Sequence, residues 1–115
     1  MVHFKHKTYT NVSGKSPQVV IDKVKAYLTK QRNLEIFISE EIDGELFIAA
    51  MKKHDILNRM VGNNYTVGCG VKKENGEIKV RVGDPQLVLG TGIFAHFAAA
   101  DVFNDVWAII DSYLL

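Results

Sequence analysis

The sequence contains one cysteine, Cys69, and no long apolar run. A single cysteine excludes an internal disulfide framework, and its scarcity fits a reducing compartment. The longest nearly apolar stretch, residues 87–100, is too short to cross a bilayer. No basic segment followed by an apolar segment opens the chain as a secretory leader would. We therefore expect a cytoplasmic protein without a membrane partner.

No set of residues forms a recognisable catalytic, metal or nucleic-acid signature. His3 and His6 lie three positions apart in a predicted strand and point to opposite sides, His54 lies in a predicted loop, and His96 lies on the apolar side of a predicted helix. A metal site needs three or four convergent ligands, and the lysines do not alternate with aromatic residues as in a nucleic-acid platform. We therefore expect no enzymatic activity, no metal, no cofactor and no nucleic-acid partner.

Residues 90–95, Gly-Thr-Gly-Ile-Phe-Ala, match the dinucleotide-binding pattern G-x-G-x-x-A and open a predicted helix. The dinucleotide fold also requires a parallel strand after that helix, with an acidic residue for the ribose. The helical pattern here continues to Leu115, and both preceding hairpins are antiparallel. We therefore interpret the two glycines as a flexible entry to the helix.

The 115 residues are 47% hydrophobic and 23% charged, which is typical of one globular domain spanning residues 1–115. The charge is uneven: residues 1–32 carry a net +6 and residues 33–115 a net −5. One interpretation is a surface for an acidic partner. The interpretation we favour is that the basic N-terminal helix faces the acidic remainder, within the molecule or across a dimer.

The N-terminal third predicts a strand and then a helix. Residues 2–12 alternate loosely as a strand does, and Ser16 with Pro17 is a typical helix start. The helix has one apolar stripe, formed by Val20, Ile21, Val24, Tyr27 and Leu28.

Asp43-Gly44 predicts the turn of a first β-hairpin, in which Ile42 faces Glu45, Ile38 faces Ala49 and Ile36 faces Met51. On this register one side is apolar and should face the core: Leu34, Ile36, Ile38, Ile42, Phe47, Ala49 and Met51. The other side is polar except for Phe37, Leu46 and Ile48. That exception predicts an apolar patch away from the core.

Asn75-Gly76 predicts the second hairpin, in which Val71 faces Val80, Cys69 faces Val82 and Lys73 faces Ile78. Its apolar side should be buried: Tyr65, Val67, Cys69, Val71, Ile78, Val80 and Val82. The other side should face water and carries three glycines, Gly68, Gly70 and Gly83. These glycines indicate either a sharp bend, which we favour, or a close neighbour on bare backbone.

Three further elements complete the prediction: a short helix at 55–61, a short strand at 87–89 and a long C-terminal helix. The apolar arc of the last helix is wider than one sheet covers, with Trp107 as a core anchor. Phe94 and Phe97 fall on its polar stripe if it begins at Ile93. We therefore favour a start near Ala99. An earlier start would expose both rings as an interface patch.

The predicted fold is α+β and two-layered: an antiparallel sheet of an N-terminal strand and two hairpins, packed against an N-terminal and a long C-terminal helix. This element order resembles that of small helix-grip domains, in which a C-terminal helix lies in a curved sheet over an apolar cavity. The function we expect is non-catalytic self-association, as a homodimer, or another protein–protein interaction. The candidate interface residues are Phe37, Leu46, Ile48, Phe94 and Phe97. The alternative is a small module that holds an apolar ligand between the last helix and the sheet.

Overall fold

The computed structural model describes residues 3–52, 65–85 and 93–115, without the side chains of residues 3 and 93–99. The elements are β1 (His3–Tyr9), α1 (Pro17–Ala26) with a π-helical turn (Tyr27–Gln31), β2 (Leu34–Ile42), β3 (Glu45–Lys52), β4 (Thr66–Glu74), β5 (Glu77–Asp84) and α2 (Ile93–Leu114). The five strands form one antiparallel sheet in the order β1-β5-β4-β3-β2. The predicted α+β class is confirmed. The helix predicted at 55–61, the strand predicted at 87–89 and the glycines at 90 and 92 lie outside the described residues.

Helix α1 begins where the sequence predicts. The Ser16 Oγ accepts a hydrogen bond from the Gln18 N–H at 3.2 Å, and Pro17 occupies the first turn. The predicted apolar stripe is at most 6% exposed: Val20, Ile21, Val24, Tyr27 and Leu28. It packs against β3, β4 and α2. Asn33, with a φ of 55°, follows the π-helical turn and leads the chain into β2.

The second hairpin has the predicted register. Asn75 and Gly76 take the positive φ angles that a type I′ turn requires, 53° and 78°. Val71 faces Val80, Cys69 faces Val82 and Lys73 faces Ile78. The predicted inner side is buried throughout, with every member at most 5% exposed: Tyr65, Val67, Cys69, Val71, Ile78, Val80 and Val82. This side, which contacts both helices, is called the helix face, and the opposite side the far face.

The first hairpin has the predicted register only near its turn. Ile42 faces Glu45 and Ile38 faces Ala49 as predicted, but Ile36 faces Ala50. The predicted pairing of Ile36 with Met51 is wrong because a β-bulge at Phe37 adds one residue to β2.

The predicted core side of this hairpin is wrong along β3, where Phe47, Ala49 and Met51 lie on the far face, and on β2 between the bulge and the turn. Ile48 is 1% exposed and Leu46 packs against the core, whereas Ile42 is 57% exposed. The reason is the pairing of β3 with β4, where Leu46 faces Val71 and Ile48 faces Cys69. Directly opposed residues share a face of the sheet. The side of β3 that lies beside the buried side of β4 is therefore the core side.

Helix α2 begins at Ile93, so the start near Ala99 that we favoured is wrong. Alanine is the strongest helix former, and residues 93–100 contain four alanines. From residue 100 onward the apolar arc is covered by the sheet and by α1. Its buried members are Val102, Val106, Trp107, Ile110 and Leu114, and its half-buried members are Phe103, Ile109 and Tyr113. Trp107 is 7% exposed, which confirms it as a core residue.

No helix in the described part of the chain is long and apolar enough to cross a membrane.

Candidate functional site

The titratable side chains of the described residues do not assemble into a metal site. Within residues 3–52, 65–85 and 93–115, no group of three or more His, Cys, Asp or Glu residues is placed to hold an ion. His6 is exposed on β1. The side chains of His3 and His96 and the whole of His54 lie outside the description.

Cys69 lies on the helix face of β4, as predicted, and is fully buried. Burial, together with the negative charge of Glu45, raises the pKa of its thiol to about 12. A thiol that remains protonated at neutral pH is a poor nucleophile. Cys69 therefore packs as a small apolar residue.

Lys7, Tyr9 and Asp111 form a polar network that joins β1 to the last turns of α2. The Tyr9 hydroxyl donates to Asp111 Oδ1 at 2.5 Å, and Lys7 Nζ lies 3.1 Å from Asp111 Oδ2. Burial and this hydrogen bond raise the pKa of Tyr9. Burial alone would raise the pKa of Asp111, but the hydrogen bonds from Tyr9 and Lys7 and the nearby lysine charges lower it overall. A neutral phenol beside an ionised carboxylate is a structural link, because neither group titrates near neutral pH.

The far face carries a cluster of Phe4, Glu45, Phe47 and Arg81, here called the arginine cluster. The Arg81 guanidinium lies 4.9 Å from the Phe4 ring centroid and 5.0 Å from the Phe47 centroid. It also forms a bidentate ion pair with Glu45, with Nη2–Oε1 at 2.6 Å and Nε–Oε2 at 3.0 Å. Every charge in the cluster is therefore paired within the chain, which makes it a packing feature of the far face.

The arginine cluster explains the glycines of β4. A Cβ on Gly70 would lie 2.7 Å from Glu45 Oε2 and 2.9 Å from Arg81 Nε. A Cβ on Gly68 would lie 3.1 Å from Phe47 Cζ and 3.2 Å from Pro85. The glycines thus admit close neighbours, which is the alternative that we favoured less. The prediction that this side of the second hairpin faces water is wrong here, since Gly68, Gly70 and Thr66 are buried.

The outer edge of β2 is the most exposed apolar feature of the described sheet. β2 is an edge strand, and no described strand pairs with its outer side. Phe37, at the bulge, is 36% exposed and Ile42 is 57% exposed. An unpaired edge presents a row of free N–H and C=O groups to a further strand.

The turn geometry shows which backbone groups of β2 point outward. In a two-residue hairpin the residues that flank the turn form a hydrogen-bonded pair, and such pairs alternate along the ladder. Ile42, Glu40 and Ile38 therefore bond to β3, because Ile42 and Glu45 flank the turn. The N–H and C=O groups of Ser39 and Glu41 consequently point to the open edge.

The charge along β2 has one sign. Glu35, Glu40 and Glu41 are exposed, and the strand contains no cation. Within the described ranges none of these three carboxylates forms an ion pair. Neighbouring strand residues alternate faces, so Glu40 and Glu41 do not form an acid–base pair. A strand that pairs with this edge would meet uncompensated negative charge.

A depression of about 220 Å³ lies beside the edge, between α1 and the first hairpin. Ile21, Leu46 and Ile48 contribute its apolar lining, and Gln18 and Ser39 are among its polar residues. Strand-binding sites use such pockets to accept alternate side chains of an added strand. The β2 edge, defined as residues 37–42 with this depression, is our candidate interaction site.

The five predicted interface residues do not form one surface in the described structure. Phe37 lies on the β2 edge, whereas Leu46 and Ile48 lie on the helix face. The backbone of Phe94 and Phe97 belongs to α2, but their side chains lie outside the description. The structure thus retains Phe37 and adds Ile42, which we had placed in the core.

We predicted that the basic N-terminal helix faces the acidic remainder, but the ion pair that the structure describes between the two regions comes from β1 instead. Lys7 pairs with Asp111, and the Tyr27 hydroxyl donates to Asp105 at 2.5 Å. Lys15 Nζ lies 4.8 Å from the Tyr113 ring centroid. These contacts join β1, the segment before α1 and the π-helical turn to α2.

Sequence reasoning did not identify the β2 edge, although one signal was present. Glu40 and Glu41 followed by Ile42 form an acidic strand end with an exposed apolar residue. No protein-family model matches the chain, and no curated protein sequence matches it.

Proposed function

We propose that this chain is a non-catalytic interaction protein that self-associates through the β2 edge. The observation that carries the proposal is an unpaired edge strand with two exposed large apolar residues, Phe37 and Ile42. A cytoplasmic location belongs to the same proposal, supported by the single buried thiol of Cys69.

Backbone pairing supplies the attraction. An added strand would bond the outward groups of Ser39 and Glu41 and cover Ile42, which lies on the far face. The bulge at Phe37 and the three acids are devices that natural sheets use to limit edge pairing. Here the bulge leaves residues 38–42 regular, and charges of one sign select a partner of opposite charge rather than prevent pairing.

Two features offered by the sequence no longer support self-association. The apolar arc of α2 is covered within the chain from residue 100 onward, and Ile48 belongs to the core. The apolar-ligand alternative gains no support either, because the described depression between α2 and β1, of about 460 Å³, is lined by Lys7, Asp111 and further polar residues as well as by Leu114. The edge is therefore the basis of the proposal.

Sedimentation velocity tests the proposal. The protein concentration should extend from about 1 to 200 μM, because an interface near the ~1,000 Å² minimum for a specific contact gives weak association. We expect the average mass of the wild-type protein in solution to rise above the 12.9 kDa of one chain as its concentration increases. Ser39→Pro removes an outward N–H without breaking a bond to β3, and should remain at 12.9 kDa.

Ser39→Ala is the matched control, since it loses the same hydroxyl but keeps the N–H. It should associate like the wild type. Circular dichroism checks that both variants fold. A wild-type chain that stays at 12.9 kDa throughout, or a folded Ser39→Pro variant that associates normally, would contradict the proposal.

A further inference from the structure

We infer that the strand that pairs with the β2 edge is β1 of a second copy, so that the copies assemble head to tail. This inference rests on the proposed function, because it names the partner of that same edge. β1 and β2 are the two edge strands of one five-stranded sheet.

The two edge strands carry opposite charges. β1 contains Lys5, Lys7 and two histidines without an acid, and β2 contains three glutamates without a cation. Lys5 is exposed, whereas Lys7 is shared with Asp111 and remains 35% exposed at its side chain. The sheet therefore ends in one basic and one acidic strand.

This charge pattern disfavours both two-fold pairings. Two β2 edges would bring glutamates against glutamates, and two β1 edges would bring lysines against lysines. Like charges on neighbouring strands destabilise a pair, whereas opposite charges stabilise it and exclude wrong partners. Only the pairing of β2 with β1 joins opposite charges.

The strand directions allow this pairing. Four antiparallel steps separate β1 from β2, so the two strands run in the same direction. A second copy that continues the sheet, with its helices on the same side, places its β1 parallel to β2. Parallel pairing is slightly weaker per residue than antiparallel pairing, which is consistent with a weak, charge-selected contact.

The backbone groups and the faces agree on one register. On β5, residues Ile78, Val80 and Val82 bond to β1, because their neighbours bond to β4 from the Asn75-Gly76 turn. The N–H and C=O groups of Phe4, His6 and Thr8 therefore point outward. In a parallel ladder they would flank the outward groups of Ser39 and Glu41.

In that register residue i of β1 faces residue i+34 of β2. Phe4 would lie beside Ile38 and His6 beside Glu40 on the far face, and Lys7 beside Glu41 on the helix face. The apolar pair covers part of the exposed edge, and Lys7, which is also paired with Asp111, brings a cation beside Glu41. A head-to-tail contact of this kind is heterologous, so it builds a filament or a closed ring rather than a dimer.

Two complementary proline variants test the inference. Ser39→Pro blocks β2 and leaves β1 free, whereas His6→Pro blocks β1 and leaves β2 free. We expect each variant alone to stay at 12.9 kDa, and their equimolar mixture to form a heterodimer of twice that mass. His6→Ala, which keeps the N–H, is the matched control and should associate like the wild type.

The alternatives give different results. If His6→Pro alone forms a dimer, the edges pair two-fold through β2, which overturns the inference and keeps the proposed function. If Ser39→Pro alone associates like the wild type, the proposed function itself fails. If the mixture of the two proline variants stays monomeric, the inference that β2 pairs with β1 of a second copy is wrong.

Charge reversal provides a second measurement that does not depend on proline. Glu41→Lys should weaken association about fivefold, and adding Lys5→Glu in the same chain, diagonal to residue 41 on the helix face, should restore part of it. Added salt should weaken the wild-type assembly by screening the same charges. A double variant as weak as Glu41→Lys would contradict the pairing of β2 with β1.

Discussion

Replacing Gly70 with alanine should destabilise the fold, because the arginine cluster occupies the space above this residue. The new methyl group would lie 2.7 Å from Glu45 Oε2 and 2.9 Å from Arg81 Nε. Both distances are well below van der Waals contact. The side chains of Arg81 and Glu45 must therefore move apart, and their ion pair must break or stretch.

The cost follows from the contacts that Arg81 would lose. A half-buried bidentate ion pair contributes about 1 kcal/mol, and each ring contact with Phe4 or Phe47 contributes about 0.5–1 kcal/mol. Alanine offsets part of this loss by about 0.5–1 kcal/mol, since glycine loses more chain entropy on folding. We expect Gly70→Ala to lower the free energy of unfolding by about 1–2.5 kcal/mol.

Urea unfolding followed by the fluorescence of the single tryptophan, Trp107, measures this change. The Glu45→Ala background is the control, because it removes one of the two clashing side chains and frees Arg81 to move. There Gly70→Ala should cost nothing or slightly stabilise the fold. The two substitutions are in contact and should therefore be non-additive.

Two outcomes would refute this reasoning. Gly70→Ala with wild-type stability would show that the arginine cluster yields without loss. An equal cost of Gly70→Ala in both backgrounds would show that the cluster is not the source of the strain.

Two further predictions concern α2. Trp107→Ala should lower the free energy of unfolding by about 3–5 kcal/mol, because it leaves a cavity in the core. The control is Leu115→Ala, at a residue that is 88% exposed, which should cost less than about 0.5 kcal/mol. A thermal midpoint unchanged by Trp107→Ala would contradict the assignment of Trp107 to the core. The pKa of Asp111 is lowered in the folded state, so its stabilisation is present above the ordinary carboxyl pKa of 3.8 and is lost as pH falls through the folded value. Asp111→Asn should therefore lower the free energy of unfolding at neutral pH, and this free energy should then fall less steeply as the pH is lowered, as measured by urea titrations at several pH values. A pH dependence of stability equal to that of the wild type would contradict the network with Tyr9 and Lys7.

The elements that the sequence predicts correctly have local causes. Ser16-Pro17 caps α1, and the two turn dipeptides adopt the positive φ angles that they favour. Where one side of a strand pair is entirely apolar, as in β4 and β5, the turn alone fixes both the register and the buried face. The helix stripe follows in the same way from the 3.6-residue period of the α-helix.

The candidate site could not be predicted in this way. The first hairpin has apolar residues on both sides, so its alternation does not distinguish the core side from the outer side. The bulge at Phe37 also changes the register without a glycine or proline to indicate it. The edge position of β2 depends on the order of all five strands.

The sequence by itself determined the turns, the capped helix, the second hairpin and the burial of Trp107, because each depends on residues close together in the chain. The tertiary structure decided which side of β3 is buried, because β3 takes its face from β4 across a long connection, with Ile48 beside Cys69. It also decided that Ile42 is exposed and that β2 is an edge. Strand order is set by contacts distant in sequence, and local patterning carries no information about them.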